Sequence, residues 1–257
     1  MPEMADVEVL KRRFNAELKG KKITAVKILN RALVKGEPGL DKKLTGKKIV
    51  EAERYGKYLF VNVGDGFLIL HFGLTGHLLF ETGKQKPSSE AMLIISVDGV
   101  DLIYEAARLF GMAGWCEDPQ AFIKEKKLGP DAASLSQPDF LSILHGVKGA
   151  IKPALMDQHK LAGIGNVYAD EILFRAGIHP QMPVKGLTLE RLRKVHEQVQ
   201  RVHEDAVKVG AVRTKMPEGS LMKIRKTSKV CPKCGGPLEL ILVGGRETLF
   251  CPHCQHL

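Results

Sequence analysis

Near the start of the chain the apolar residues Val7, Leu10, Phe14 and Leu18 fall at three- and four-residue steps. That spacing predicts an amphipathic helix with one face packed on the neighbouring segment. The next hundred residues read as β-structure. Runs rich in β-branched residues at 22–29, 48–54, 57–63 and 67–72 predict strands, and Asp65-Gly66 between the last two is a two-residue hairpin signal. A second such turn, Asp98-Gly99, joins predicted strands at 92–97 and 100–104. Short antiparallel strands at this density predict a β-sandwich covered at one end by the first helix.

After about Pro130 helical patterns take over at 138–141, 150–156, 166–176 and 188–207, with Thr188 as an N-cap and Glu190 in the first turn. The predicted organisation is α+β. An N-terminal antiparallel β-sandwich domain with a flanking helix spans 1–120, a helical domain spans 131–227, and a small module spans 228–257. Residues 119–138 are the expected linker between the first two.

The small module carries the strongest local signal. Cys231-Pro-Lys-Cys234 and Cys251-Pro-His-Cys254 are separated by sixteen residues, and two such knuckles can supply four thiolates tetrahedrally to one zinc ion. Between them the run at 238–243 reads as a strand returning through Gly244-Gly245, so a zinc-clamped hairpin is expected with Arg246 at its tip. There the guanidinium can enter a duplex or meet a phosphate, or it can simply solvate the tip.

Charge narrows the class of partner. Lys and Arg total 39 against 29 Asp and Glu, a formal charge of +10, which suits a polyanion. Between Lys208 and Lys229 seven basic residues stand against one acidic, Glu218. Four of the five cysteines belong to the metal pattern, which argues against a disulfide framework and for a reducing compartment. The fifth, Cys116 beside Trp115, reads as a small buried hydrophobe. No apolar run approaches the length of a membrane span, and the N-terminus lacks a secretory pattern. A soluble, unsecreted, cytoplasmic protein with no membrane partner is the expectation.

The chain begins Met1-Pro2-Glu3. Removal of the methionine would expose a secondary amine, and an N-terminal amine has a reference pKa near 8, so a fraction is unprotonated at neutral pH. Such an amine attacking a sugar C1′ yields an iminium ion that acidifies the C2′ proton and permits loss of the 3′-phosphate. Glu3 beside it could move protons. Alone, this start is also compatible with a disordered terminus.

Further segments carry a resemblance. The start Met1-Pro-Glu-Met-Ala-Asp-Val-Glu8, the stretch Arg54-Tyr-Gly-Lys57-Tyr58-Leu59, the uninterrupted run from Met156 to Pro180 and the ending from Gly244 to Gln255 together resemble the formamidopyrimidine-DNA glycosylase / endonuclease VIII family of base-excision repair enzymes. The resemblance runs in order from the first residue nearly to the last, and it implies a helix–two-turns–helix DNA-binding domain at 131–227 and a monomer associated with the nucleoid through DNA. It implies a bifunctional DNA glycosylase and abasic-site lyase acting on damaged duplex DNA through a Schiff base at Pro2, with β,δ-elimination, and it implies one structural zinc ion held by Cys231, Cys234, Cys251 and Cys254.

Within that resemblance Pro2 is the nucleophile, Glu3 its acid/base partner, and Lys57 a phosphate contact and proton donor, where the strand pattern alone makes it a solvated residue. Arg246 grips the backbone flanking the lesion. Gly163 and Gly165 are expected to form a tight turn whose N–H groups offer a DNA phosphate a site at a helix N-terminus. Asn166 can cap that helix or contact phosphate. Lys152 is a further implied DNA contact. Leu74, Arg108 and Phe110 are implied to fill the gap left by an everted nucleotide, although Phe110 by itself could equally be core. Lys57, Asn166 and Arg246 come from different modules, which implies a bent duplex.

Four departures from the family pattern stand out. Ala5 replaces a usual proline and Asp6 a usual glutamate, Leu74 stands where methionine is usual, and the segment 209–230 is short where relatives acting on oxidised purines carry a long loop. That shortness implies poorer processing of 8-oxoguanine than of formamidopyrimidines, oxidised pyrimidines or abasic sites. Two rivals share the basic charge: a non-catalytic lesion-binding protein on the same scaffold, and a zinc-ribbon RNA-binding factor.

Overall fold

The structure is a computed structural model in which residues 2–34, 37–83 and 86–257 are described; Met1, whose removal the proline chemistry requires, lies outside them. The first helix, α1 (Met4–Glu17), is followed by β1 (Ile23–Ile28), α2 (Leu40–Leu44), β2 (Glu51–Tyr55), β3 (Tyr58–Asn62), β4 (Phe67–His71), β5 (His77–Thr82), β6 (Ala91–Val97), β7 (Val100–Glu105) and β8 (Met112–Cys116). Then come α3 (Pro119–Glu125), α4 (Gln137–His145), α5 (Ile151–Met156), α6 (Asn166–Ala176), α7 (Leu189–Lys208), α8 (Leu221–Ile224), β9 (Glu239–Val243) and β10 (Arg246–Phe250). The described residues divide into two compact units, one of Pro2 with Val7–Lys127 and one of Glu3–Asp6 with Leu128–Leu257.

In the first unit two antiparallel four-stranded sheets, ordered β1-β6-β7-β5 and β2-β3-β4-β8, form the expected sandwich. One apolar core takes side chains from both: Ile23, Leu93, Ile95, Leu102 and Tyr104 from one sheet, and Leu59, Val61, Leu68, Leu70 and Ala113 from the other. Val7 and Phe14 of α1, and Leu18 directly after it, enter the same core, as their helical spacing predicts. Phe14 meets Phe80 edge-on with centroids 5.4 Å apart.

Two strands escaped the sequence pattern. β5 pairs only with β7, and β8 only with β4, so each is an edge strand. β5 is half-exposed along most of its length, and β8 contains Gly114, so neither shows the apolar alternation of a half-buried strand. The stretch expected as linker also begins with a helix. Asp118 caps α3 by accepting from the Gln120 N–H at 2.8 Å, and Phe122 packs edge-on against Tyr58 and Phe60 at 5.4 and 5.7 Å.

Both hairpin signals yield hairpins, one with its tip shifted. Val97 pairs with Val100 around Asp98-Gly99 as expected. Between β3 and β4, however, the Val63 N–H donates to the Gly66 carbonyl at 2.9 Å, so the two-residue tip is Gly64-Asp65, with Gly64 at φ +102°. Gly66 is glycine for another reason, because a Cβ there would lie 2.2 Å from the Trp115 ring.

In the second unit α7 buries Leu192, Val195, Val199, Val202 and Ala206 at alternating three- and four-residue steps. Thr188 caps it by accepting from the Arg191 N–H at 3.2 Å. This face meets Tyr168, Ala169, Ile172 and Leu173 of α6, together with Phe140 and Leu144 of α4. β9 and β10 form a hairpin turned by Gly244 and Gly245, both at positive φ. Gln255 docks it on the segment just after α6 by accepting from Cys251 N–H and donating to the Ile178 carbonyl, each at 2.9 Å.

Gly66→Ala is expected to destabilise the sandwich by about 1–3 kcal/mol through overpacking. Trp115 is the only tryptophan in the chain and is the ring displaced, so urea unfolding followed by its fluorescence reads the effect directly. A variant as stable as the parent would refute the steric account.

Candidate active site

In the second unit the N-terminus of α6 receives an anion, and the anion is the protein's own. Glu3 is fully buried, and its carboxylate accepts from the N–H groups of Gly165 (2.5 Å), Val167 (3.0 Å) and Tyr168 (3.4 Å). These are the donors a helix N-terminus leaves without intrahelical partners, and its dipole favours negative charge there. A Cβ on Gly165 would lie 2.4 Å from the Glu3 carboxyl carbon. The absent side chain at 165 is therefore the space the carboxylate fills, which corrects the expectation that Gly165 N–H would face a DNA phosphate.

The residues around Glu3 are fixed as firmly. Its own N–H donates to Asp6 Oδ2 at 2.9 Å, the side-chain-to-backbone half of a capping box at the start of α1, and the Met4 N–H donates to the Gly163 carbonyl at 3.1 Å. Asp6, though shorter than the usual glutamate, reaches its donor. Burial raises the Asp6 carboxyl above its ordinary value, against the Glu3 N–H and the Arg213 guanidinium, which pull it down. Met4 and Ala5 are fully buried in the helical core. Residues 3–6 are thus held by side chain, backbone and core burial.

Arg246 stands where the hairpin pattern places it, exposed and first after the glycine turn. The backbone behind it is held from inside. Lys152, expected at the DNA surface, has no exposed area, and its ammonium pairs with Asp170 at 2.7 Å. It also donates to Thr248 Oγ1 at 2.5 Å and to the Glu247 carbonyl at 3.3 Å. Burial pulls the Lys152 pKa down, opposed chiefly by the Asp170 carboxylate. So Lys152 is an internal cation, and the DNA contact assigned to it does not hold in this arrangement. Asn166 does not cap α6 either; it is the first helical residue, and its amide donates to the same Glu247 carbonyl at 2.9 Å. Asp170 further accepts from Arg225 and from the Leu249 N–H at 2.6 and 3.1 Å. Removing one member of such a buried pair costs about 3–5 kcal/mol, because the other charge is stranded.

The four cysteine sulfurs lie within 4.8 Å of one another, with Cys231–Cys254 and Cys234–Cys251 separations of 3.9 and 3.6 Å. Four thiolates at tetrahedral zinc–sulfur distances of about 2.3 Å sit about 3.8 Å apart, so the cluster fits one zinc ion.

In the first unit Tyr55 pairs with Tyr58, which leaves Gly56-Lys57 as the two-residue tip of the β2–β3 hairpin rather than the start of a strand. Lys57 is half-buried and acts electrostatically on His71, the residue opposite Tyr58. The Arg54 guanidinium donates to the Gly56 carbonyl at 3.0 Å and to Glu8 at 3.3 Å, bracing this turn. Leu74 lies on the loop between β4 and β5, half-buried, and Arg108 and Phe110 lie on the loop between β7 and β8. Phe110 is 58% exposed, so it is not core. Gly73 and Phe110 bring the two loops into backbone contact, and the Arg108 N–H donates to Thr75 Oγ1 at 3.0 Å.

The comparisons with known proteins agree along the whole chain. Residues 1–113 match the formamidopyrimidine-DNA glycosylase N-terminal domain, residues 128–218 the H2TH domain of the same enzymes, and residues 228–257 the zinc finger found in FPG and IleRS. The formamidopyrimidine-DNA glycosylase of Solibacter usitatus is 34% identical over 269 residues, covering 99% of both chains. The chain belongs to the formamidopyrimidine-DNA glycosylase family.

Among solved structures, that of the Lactococcus lactis enzyme bound to DNA containing an AP site superposes with a TM-score of 0.89 at 30% identity, covering 99% of this chain and all of that one. The same enzyme in complex with FAPY-dG DNA gives the same score and coverage. Membership accounts for the zinc finger and for the helical unit. Among the described residues no helix is long and apolar enough to cross a membrane.

Sequence reasoning missed Asp170, Arg213 and His71. Asp170 lies within the motif stretch from Met156 to Pro180 and His71 within a predicted strand, yet nothing in their spacing distinguishes an inward-facing charge from a solvated one. His71 is held down to about 4 from an ordinary 6.5, by burial first and by Lys57 second. The unfolded chain takes up this proton near pH 6.5, and the folded site refuses it until about pH 4. Stability is therefore complete above that window and falls as pH drops through it. The loss from this group is expected to reach about 3 kcal/mol at the lower end. His71→Phe should flatten that part of the pH profile of urea unfolding, and an unchanged profile would refute the assignment.

Proposed function

We propose that this protein is a DNA glycosylase with associated abasic-site lyase activity, excising oxidised bases from duplex DNA and opening the abasic strand through a Schiff base at Pro2. The observation that carries the reading is the anchoring of Glu3, bonded to Pro2, in the N-terminus of α6. A nucleophile at a chain end is useful only if that end is fixed, and here the residues directly after it are pinned by side chain, backbone and core burial. Family membership and the DNA complexes of its relatives support the same reading.

The chemistry follows from the amine. The Pro2 nitrogen lone pair forms a bond to C1′ as the bond from C1′ to the damaged base breaks, and the base departs with a proton. The ring oxygen is protonated and the ring opens to an iminium ion, a step in which Glu3 serves as acid and then base. Loss of the C2′ proton expels the 3′-phosphate, a second elimination expels the 5′-phosphate, and water releases the sugar fragment from Pro2. Lys57 serves as phosphate partner and proton donor, while Arg246 and Asn166 engage the strand backbone. Leu74, Arg108 and Phe110 occupy the gap left by the everted nucleotide. Four thiolates holding zinc fix the hairpin that presents Arg246.

Borohydride trapping on an abasic duplex tests the covalent step. The parent should give one adduct mapping to a peptide that begins at Pro2, and Glu3→Gln should excise a damaged base about a hundredfold or more slowly. An adduct on a lysine, or none at all, would overturn the proposal; the second result with tight duplex binding would favour a non-catalytic DNA-binding protein.

The segment 209–230 bears on substrate choice. It is short, and α8 within it is tied down, since Glu171 accepts from the Met222 N–H at 2.7 Å and Asp170 holds Arg225. On a panel of single-lesion duplexes 8-oxoguanine is expected to rank below formamidopyrimidine and abasic substrates. A clear preference for 8-oxoguanine would remove that part of the proposal.

A further inference from the structure

We infer that Glu105 is a positioning residue for the two loops that carry Leu74, Arg108 and Phe110, an inference that rests on the glycosylase reading above. Glu105 ends β7 and is 8% exposed, although it lies within a few residues of the exposed Arg108 and Phe110. Its carboxylate accepts from the Ser88 hydroxyl at 2.5 Å and faces His77 Nε2 at 3.2 Å. Three segments meet at that carboxylate. His77, opposite it in the register, opens β5 directly after the Leu74 loop, and Ser88 precedes β6, whose first residue Ala91 is also in register with Glu105. The neighbouring Ala106 N–H donates to the Glu90 carbonyl at 3.0 Å, and Ser88 Oγ accepts from the Glu90 N–H at 3.2 Å.

Beyond this junction the loops are joined to each other. The Arg108 N–H to Thr75 bond and the backbone contact of Gly73 with Phe110 link them, and a Cβ on Gly73 would lie 2.4 Å from the Phe110 carbonyl carbon. The joined loops leave the sheet at the end where β5 pairs with β7, and Glu105 is the charged group that locks this end. A buried carboxylate with one hydroxyl donor and one imidazole partner holds its neighbours only while both are in place. Without it Ser88 loses its acceptor and His77 its carboxylate partner, and the stems of both loops are free to shift. A side chain that must enter a base step tolerates little displacement. Glu105 itself touches no DNA; it acts through the loops.

The test uses the full-length zinc-loaded protein and two readouts. The first is steady-state excision from a formamidopyrimidine duplex. The second is fluorescence of 2-aminopurine placed beside a tetrahydrofuran abasic analogue, which reports unstacking when side chains fill the gap. Glu105→Ala is expected to lower kcat about tenfold or more and to abolish most of the fluorescence change, with duplex Kd within about threefold of the parent. Glu105→Gln, which can still accept from Ser88, should recover much of both, and Ser88→Ala should lose both to a smaller degree. The inference is overturned if Glu105→Ala matches the parent in both readouts, or if Kd weakens in proportion to kcat. A parent that excises nothing and forms no trapped adduct would instead sink the glycosylase reading itself.

Discussion

One electrostatic contact organises the start of this chain: the Glu3 carboxylate set into the N-terminus of α6, across 162 residues of sequence. Three main-chain N–H groups that would otherwise need water or an external anion are satisfied by an internal one. The contact exists because position 165 has no side chain, and because Met4 and Ala5 are apolar enough to enter the helical core beside it. A terminal residue ordinarily carries little structural order. Here the cost of fixing it is met by core burial and by charge placed where a helix dipole favours it.

The hairpin that carries Arg246 obeys the same logic with opposite charge. An arginine offered to a polyanion has to be exposed, so its aim depends on the backbone beneath it. That backbone is gripped at one carbonyl, Glu247, by Asn166 and by the buried ammonium of Lys152. Lys152 is tolerable inside only because Asp170 neutralises it, and Asp170 in turn binds Arg225 and the Leu249 N–H. Consecutive carboxylates on α6, Asp170 and Glu171, thereby tie down both the hairpin and the segment before it, while the thiolate cluster closes the hairpin's base.

Some of this was legible in the residues. The helical spacing of Val7, Leu10, Phe14 and Leu18, the cap at Thr188 and the paired cysteine knuckles each express a local rule, and each is met in the fold. The motif resemblance reached further than periodicity could, since it pointed to the family that the comparisons show. Whatever depends on a distant neighbour stayed illegible. The strands β5 and β8 lack apolar alternation because β5 sets Leu78 and Phe80 against one apolar cluster and Leu79 against another, and β8 carries Gly114 where a side chain would pack. Helix α3 falls inside the expected linker because Phe122 finds its aromatic partners on a strand far back in the chain.

The sequence by itself determined the periodicities, the Gly244-Gly245 turn, the metal ligands and the family, because those depend on neighbours within a few residues or on motifs preserved as strings. Tertiary structure decided which charges face inward. Glu3 and Lys152 look like any acidic and basic surface residue until folding brings the Gly165 amide to one and the Asp170 carboxylate to the other. Burial of a charge is decided by the partner waiting for it, and that partner is set by the fold.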